Sequence, residues 1–154
     1  MKRTLGLILL VFAVFSLGYA SWLTWGKPGT PSGLPLEYRA GNPVLVYFIH
    51  GRAKCPTCDL ILAHTRSAME TSFPEETRNQ SLVLVPVDVE KPGNEHFMED
   101  FELFTTSVVL SSRNAAGQEH WKNLSRAWEL AEDGESFKSY FTGEVRRFLQ
   151  EVQP

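Results

Sequence analysis

Apolar residues are grouped along the chain in blocks of distinct period, and each period predicts an element. Val44–Ile49 is an unbroken run rich in β-branched and aromatic residues, the pattern of a central strand covered on both faces. Cys55–Phe73 changes to helical spacing, with Cys58, Ile61, Leu62, Thr65, Ala68, Met69 and Phe73 on one broad face. Ser81–Val89 is a second strand, and Pro86 within it marks that strand as an edge, because proline cannot donate to a ladder. Asn94 is placed to cap a helix over 95–104 that buries Phe97, Phe101 and Phe104. Ser107–Ser111 and Gln118–Trp121 are short strands joined by turn chemistry at Asn114–Gly117, which makes a hairpin. Ser125–Glu132 reads as one or two helical turns. Phe137, Tyr140, Phe141, Val145, Phe148, Leu149 and Val152 then recur at spacings of three and four in a closing amphipathic helix.

A helix between the first two strands requires a parallel, right-handed crossover, whereas the later hairpin adds an antiparallel edge. The expected class is therefore α/β, a mixed four-stranded sheet flanked by helices on both faces.

The longest apolar block precedes all of this. Lys2 and Arg3 are the only charges before Lys27, and Thr4–Trp25 is a run of 22 uncharged residues. As a helix it spans about 33 Å, enough for a hydrocarbon core of about 30 Å. Tyr19, Trp22 and Trp25 stand at its far end, where interfacial aromatics belong, and favour an uncleaved anchor. Gly18-Tyr19-Ala20 loosely fits a cleavage site, so a secretory signal is the alternative. Either reading leaves Lys2 and Arg3 in the cytoplasm and exports the rest. The expected organisation is a signal anchor or signal peptide over 1–25, a linker over 26–42 and a folded domain over 43–154. The linker, Gly26–Asn42, holds four glycines and three prolines and has no periodic pattern. The domain is thus expected at the outer face of the cytoplasmic membrane, or free in the periplasm or medium if the segment is cleaved.

Charge and composition narrow the function. The whole chain carries −3; beyond residue 25, thirteen basic and eighteen acidic residues leave −5, which gives no reason to expect nucleic acid as a partner. Two cysteines are too few to staple a small domain. Both lie in Cys55-Pro56-Thr57-Cys58, directly after the first strand and at the mouth of the first helix. There the unpaired helical N–H groups and the positive end of the dipole stabilise a thiolate. Lys54, Arg52 and His50 add nearby cationic or titratable groups, Pro56 suits the first helical turn, and the Thr57 hydroxyl can donate to a thiolate.

Three roles are open to the pair. As a brace, a four-residue loop contributes only roughly 2 kcal/mol. As a copper- or arsenic-type metal site, the pair needs a further ligand, and His50 is the candidate; His64 is out of phase on the helix. The third role is redox exchange, with Cys55 attacking and Cys58 resolving, and it fits a CxxC that opens a helix after a buried strand. The chemistry would then reside in the thiols, with no cofactor implied. Its partner would be a protein thiol or disulfide, or a membrane electron donor. His96 and His120 read as surface residues, Trp121 and Trp128 as packing, and Glu99, Asp100 and Glu102 as a solvated helix face.

From Val44 to Leu149 the chain resembles the thioredoxin-like superfamily. The strings Tyr47-Phe48-x-His50-Gly51, Cys55-x-Thr57-Cys58, Asn94-x-His96-Phe97, Thr106-Ser107-Val108-Val109-Leu110, Trp121-Lys122-Asn123-Leu124 and Glu144-Val145-Arg146-x-Phe148-Leu149 are similar to a group of small exported members. That group is catalogued as a nitroreductase subunit encoded near arsenical-resistance genes. The resemblance implies a thiol–disulfide oxidoreductase or, failing activity, a partner subunit of a membrane redox system. It also implies departures from thioredoxin. Lys54 stands where a tryptophan is usual, Tyr47 where a buried aspartate is usual, and Thr106 where a cis-proline faces the cysteine pair. No proline lies between Pro92 and Pro154.

Overall fold

A computed structural model describes residues 42–51, 55–114 and 117–152 of the chain. The expected membrane segment Thr4–Trp25, nearly all of the linker, and Arg52 and Lys54 lie outside the described residues. Among the described residues no helix is long and apolar enough to cross a membrane. The elements run β1 (Val44–His50), α1 (Pro56–Ser72), α2 (Pro74–Arg78), β2 (Leu82–Asp88), α3 (His96–Asp100), β3 (Ser107–Arg113), β4 (Glu119–Asn123), a 3₁₀ turn (Ser125–Ala127) and α4 (Gly134–Val152). The result is an α/β fold with a mixed four-stranded sheet in the order β2-β1-β3-β4.

Strand β1 lies at the centre because it has no polar face to offer water. Its odd and even residues feed two different cores. Val44, Val46 and Phe48 join Ile61, Ala68 and Met69 of α1 and Phe137, Phe141, Val145 and Phe148 of α4. Leu45, Tyr47 and Ile49 join Phe97 and Phe101 of the α3 segment on the other face. The crossover through α1 brings β2 alongside β1 in parallel, with Val44 opposite Leu82 and His50 opposite Asp88. The bonds from Val44 N–H to Ser81 O and from Val89 N–H to His50 O show that the odd residues of 81–89 face β1. Pro86 therefore turns its donorless nitrogen outward, and β2 is an edge, as its sequence requires. Strands β3 and β1 pair antiparallel, and the β3–β4 hairpin closes the other side with Leu110 opposite Lys122.

Three details depart from the sequence pattern. The predicted single helix Cys55–Phe73 is followed by a separate turn of helix, α2, which Pro74 opens. The predicted helix 95–104 is only His96–Asp100, and Asn94 does not cap it: its side chain donates to the Asp88 carbonyl instead. Glu102 adopts φ +52°, Leu103 N–H bonds to Met98 O and Glu102 N–H to Glu99 O. This is a Schellman stop, and it reverses the chain before Phe104 can reach the core. Phe104 consequently stands 98% exposed, where the three-and-four spacing expects it buried. Glu102 lies in that stop rather than on a helix face.

Helix α4 begins where Asp133 accepts from Ser136 N–H at 3.1 Å and from the Ser136 hydroxyl at 2.7 Å. The Ser136 hydroxyl, then its amide, hold the Asp133 carboxyl below the usual carboxylate range. Gly134 lets α1 approach: a Cβ there would stand 2.8 Å from the His64 ring, which packs on Phe137 at 5.5 Å. His64 is thus a packing residue between α1 and α4, pointing away from the cysteines as its phase predicts.

Candidate functional site

The site lies at the carboxyl end of β1, where the chain leaves the sheet and enters α1. Cys55 is the N-cap of α1, with extended backbone (φ −135°, ψ 106°), and its sulfur accepts from Cys58 N–H at 3.2 Å. Pro56 occupies the first helical turn, where its missing N–H costs nothing. Cys55 and Cys58 form a disulfide with their Cα atoms 5.1 Å apart. Both residues are half-buried, but only Cys58 packs against the main core cluster. The pair therefore has an outer and an inner member. The outer sulfur already receives a backbone hydrogen bond at the positive end of a 17-residue helix, the arrangement that favours a thiolate there once the bridge opens.

Across from the pair lies the start of β3. Thr106 Oγ1 is 3.7 Å from Cys58 Sγ. In the disulfide only the hydroxyl can donate in that contact. Residues 48 apart in sequence are brought together because β3 pairs with β1, with Ser107 opposite Ile49. Peptide bonds among the described residues are all trans, including those on either side of Thr106.

The remaining predicted residues are placed as follows. The His50 ring is half-buried, stacks on Phe48 and has Nδ1 2.8 Å from the Gly51 carbonyl. Its polar contact is with backbone. Thr57 is half-buried in the first turn of α1, and the donor to Cys55 Sγ is the Cys58 amide rather than the Thr57 hydroxyl. Lys54 lies outside the described residues. Tyr47 is buried against Phe97 and Phe101, and burial, then the Glu119 carboxylate, push its hydroxyl well above the usual phenol range. It stays neutral and moves no proton near pH 7. Trp121 packs edge-on against Phe101 at 5.5 Å, as a core residue should.

Trp128, expected as core or half-buried packing, also makes a polar contact that the sequence did not indicate. It is 36% exposed, and its indole N–H donates to the Thr106 carbonyl at 2.5 Å. Three large apolar side chains are exposed among the described residues: Leu60, Phe104 and Trp128. Leu60 is two residues past Cys58, Phe104 is two residues before Thr106, and Trp128 is bonded to Thr106. Each is tied by chain or hydrogen bond to a residue of the disulfide site. Among the described residues, no three of His, Cys, Asp and Glu stand close enough together to hold a metal ion.

No protein-family model matches the chain and no curated protein matches it.

Proposed function

We propose that this chain is a thiol–disulfide oxidoreductase of the thioredoxin-like superfamily, tethered to the membrane by residues 4–25 with its domain on the exported side. The observation that carries the proposal is the Cys55–Cys58 disulfide at the N-cap of α1. A bridge between residues three apart is a poor brace, and this one sits where the reduced pair would have a stabilised outer thiolate. Cys55 attacks a partner disulfide or is regenerated by a donor, and Cys58 resolves the mixed disulfide. Thr106 contacts the inner sulfur in place of a proline, so the partner-facing edge differs from that of thioredoxin. His50, Thr57 and Lys54 are modulating residues in this reading.

The test is a redox titration in glutathione or dithiothreitol buffers, read by counting alkylated thiols by mass. The two thiols should appear together at a potential in the range of exchanging dithiols, about −120 to −270 mV. A bridge that stays closed below about −300 mV is structural, and the proposal then fails. The tether has its own check. The full chain should sediment with membranes and be cut by protease added from the exported side; recovery in the soluble cytoplasmic fraction would refute it.

A further inference from the structure

The Thr106 carbonyl is a ladder group without a ladder. Along β3, residues 108 and 110 turn toward β4: Leu124 N–H donates to Val108 O at 2.8 Å, and Leu110 lies opposite Lys122. Thr106, two residues earlier, faces the same side. By then β4 has ended at Asn123 and the chain has turned into the 3₁₀ segment Ser125–Ala127. The next strand donor is missing, and the Trp128 indole N–H takes its place at 2.5 Å. The preceding carbonyl, of Thr105, accepts from the Ser107 hydroxyl at 2.9 Å. Side-chain donors thus hold two successive carbonyls of the segment facing the disulfide.

We propose that Trp128 is a positioning residue for the resolving step: by holding the Thr106 carbonyl, it keeps the Thr106 hydroxyl against Cys58 Sγ. The inference rests on the oxidoreductase reading and concerns its second half-reaction. In the mixed disulfide, Cys55 Sγ is bonded to the partner's sulfur and Cys58 is a thiol. Cys58 loses its proton to water, and its thiolate, accepting from the Thr106 O–H, attacks Cys55 Sγ. The Cys55–partner bond breaks as the Cys55–Cys58 bond forms. The electron pair leaves on the partner's sulfur, which takes a proton from water. The site's two thiols have been oxidised and the partner disulfide reduced. Thr106 keeps its proton throughout. Cys55 does not depend on this device, because its sulfur is served by the Cys58 amide and the helix end.

The magnitude follows from two opposed effects. A donor that raises the Cys58 thiolate fraction about tenfold also lowers its intrinsic nucleophilicity, with a Brønsted coefficient of about 0.4–0.5. The net gain in resolving rate is about threefold. The probe is 5,5′-dithiobis(2-nitrobenzoate) added to the reduced protein: the first thionitrobenzoate released reports Cys55 attack, the second reports resolution by Cys58. In Trp128→Phe the first release should keep its rate, and the second should slow about threefold, with its pH midpoint moved upward. Replacing the indole with the shape-matched benzothiophene, which lacks the N–H, should do the same without disturbing packing. Thr106→Val should match Trp128→Phe, Thr106→Ser should restore the second release, and the Trp128→Phe/Thr106→Val pair should be no slower than Thr106→Val alone. Unchanged second release in both indole variants, or additive slowing in the pair, overturns the inference while leaving exchange intact. A wild-type protein that releases no second thionitrobenzoate would instead overturn the oxidoreductase reading itself.

Discussion

Cys58→Ser is expected to convert exchange into capture. Cys55 in that variant keeps its place as N-cap and the amide of residue 58 still points at its sulfur, so attack on a disulfide should proceed at close to the wild-type rate. What is lost is the second nucleophile. In the native chain the two Cα atoms are 5.1 Å apart, so the resolving thiol acts intramolecularly. Positioned intramolecular groups have effective concentrations far above those of external thiols, so the mixed disulfide should persist on the order of a thousandfold longer. A serine hydroxyl at neutral pH cannot substitute, being far less ionised than a thiol. The expected record is one partner adduct per chain in an intact-mass spectrum, stable until dithiothreitol is added. Cys55→Ser should form no such adduct at a comparable rate, because Cys58 is packed against the core. Equal adduct yields from the two variants would remove the distinction between attacking and resolving thiols, and a higher yield from Cys55→Ser would reverse it. Loss of the bridge should itself cost only roughly 2 kcal/mol relative to the oxidised protein, so neither variant is expected to unfold.

The place of the bridge, at the N-cap of α1, was legible from residue order because three independent signals meet at Cys55: the end of a buried strand, a proline suited to a first helical turn, and the i, i+3 spacing of the thiols. The sheet was legible for a similar reason. A continuous apolar run favours a central strand and a proline within a strand favours an edge, and β1 and β2 take those places in the sheet. The rest was hidden because it depends on where the backbone reverses. Nothing in the spacing of Phe97, Phe101 and Phe104 says that Glu102 will take a left-handed conformation, which only glycine or asparagine advertises. Nor does the spacing say that β4 stops at Asn123, short of the position opposite Thr106, leaving a carbonyl for Trp128. Local period predicts which face of an element is apolar. It does not predict which distant donor fills a gap at the end of a ladder, and here that gap borders the disulfide.

Phe141 and Phe104 put this distinction to a direct test, since both satisfy a three-and-four spacing and only one is buried. Phe141→Ala is expected to destabilise the domain by about 3–5 kcal/mol. The side chain is fully buried between α4, α1 and the inner face of the sheet, with Phe137 stacked at 6.2 Å. Helix α4 has no other route to the sheet there: Phe137, Val145 and Phe148 fill the neighbouring turns, so the hole cannot close by moving a single side chain. For a domain of about this size the loss corresponds to a Tm lower by about 15–25 °C, and much of a typical stability of about 5–15 kcal/mol would be gone. Phe104→Ser should change stability by less than about 0.5 kcal/mol, because a 98% exposed ring gives up nothing when it is removed. Thermal unfolding of the oxidised proteins, followed by circular dichroism, separates the two. A Phe104→Ser variant that melts with Phe141→Ala would mean that α3 continues through residue 104 and that the chain does not reverse at Glu102. The segment carrying Thr106 would then approach the cysteines from a different direction, and its contact with Cys58 would be lost. The melting temperature of Phe104→Ser thus decides whether the geometry on which the resolving step depends is the one the chain adopts.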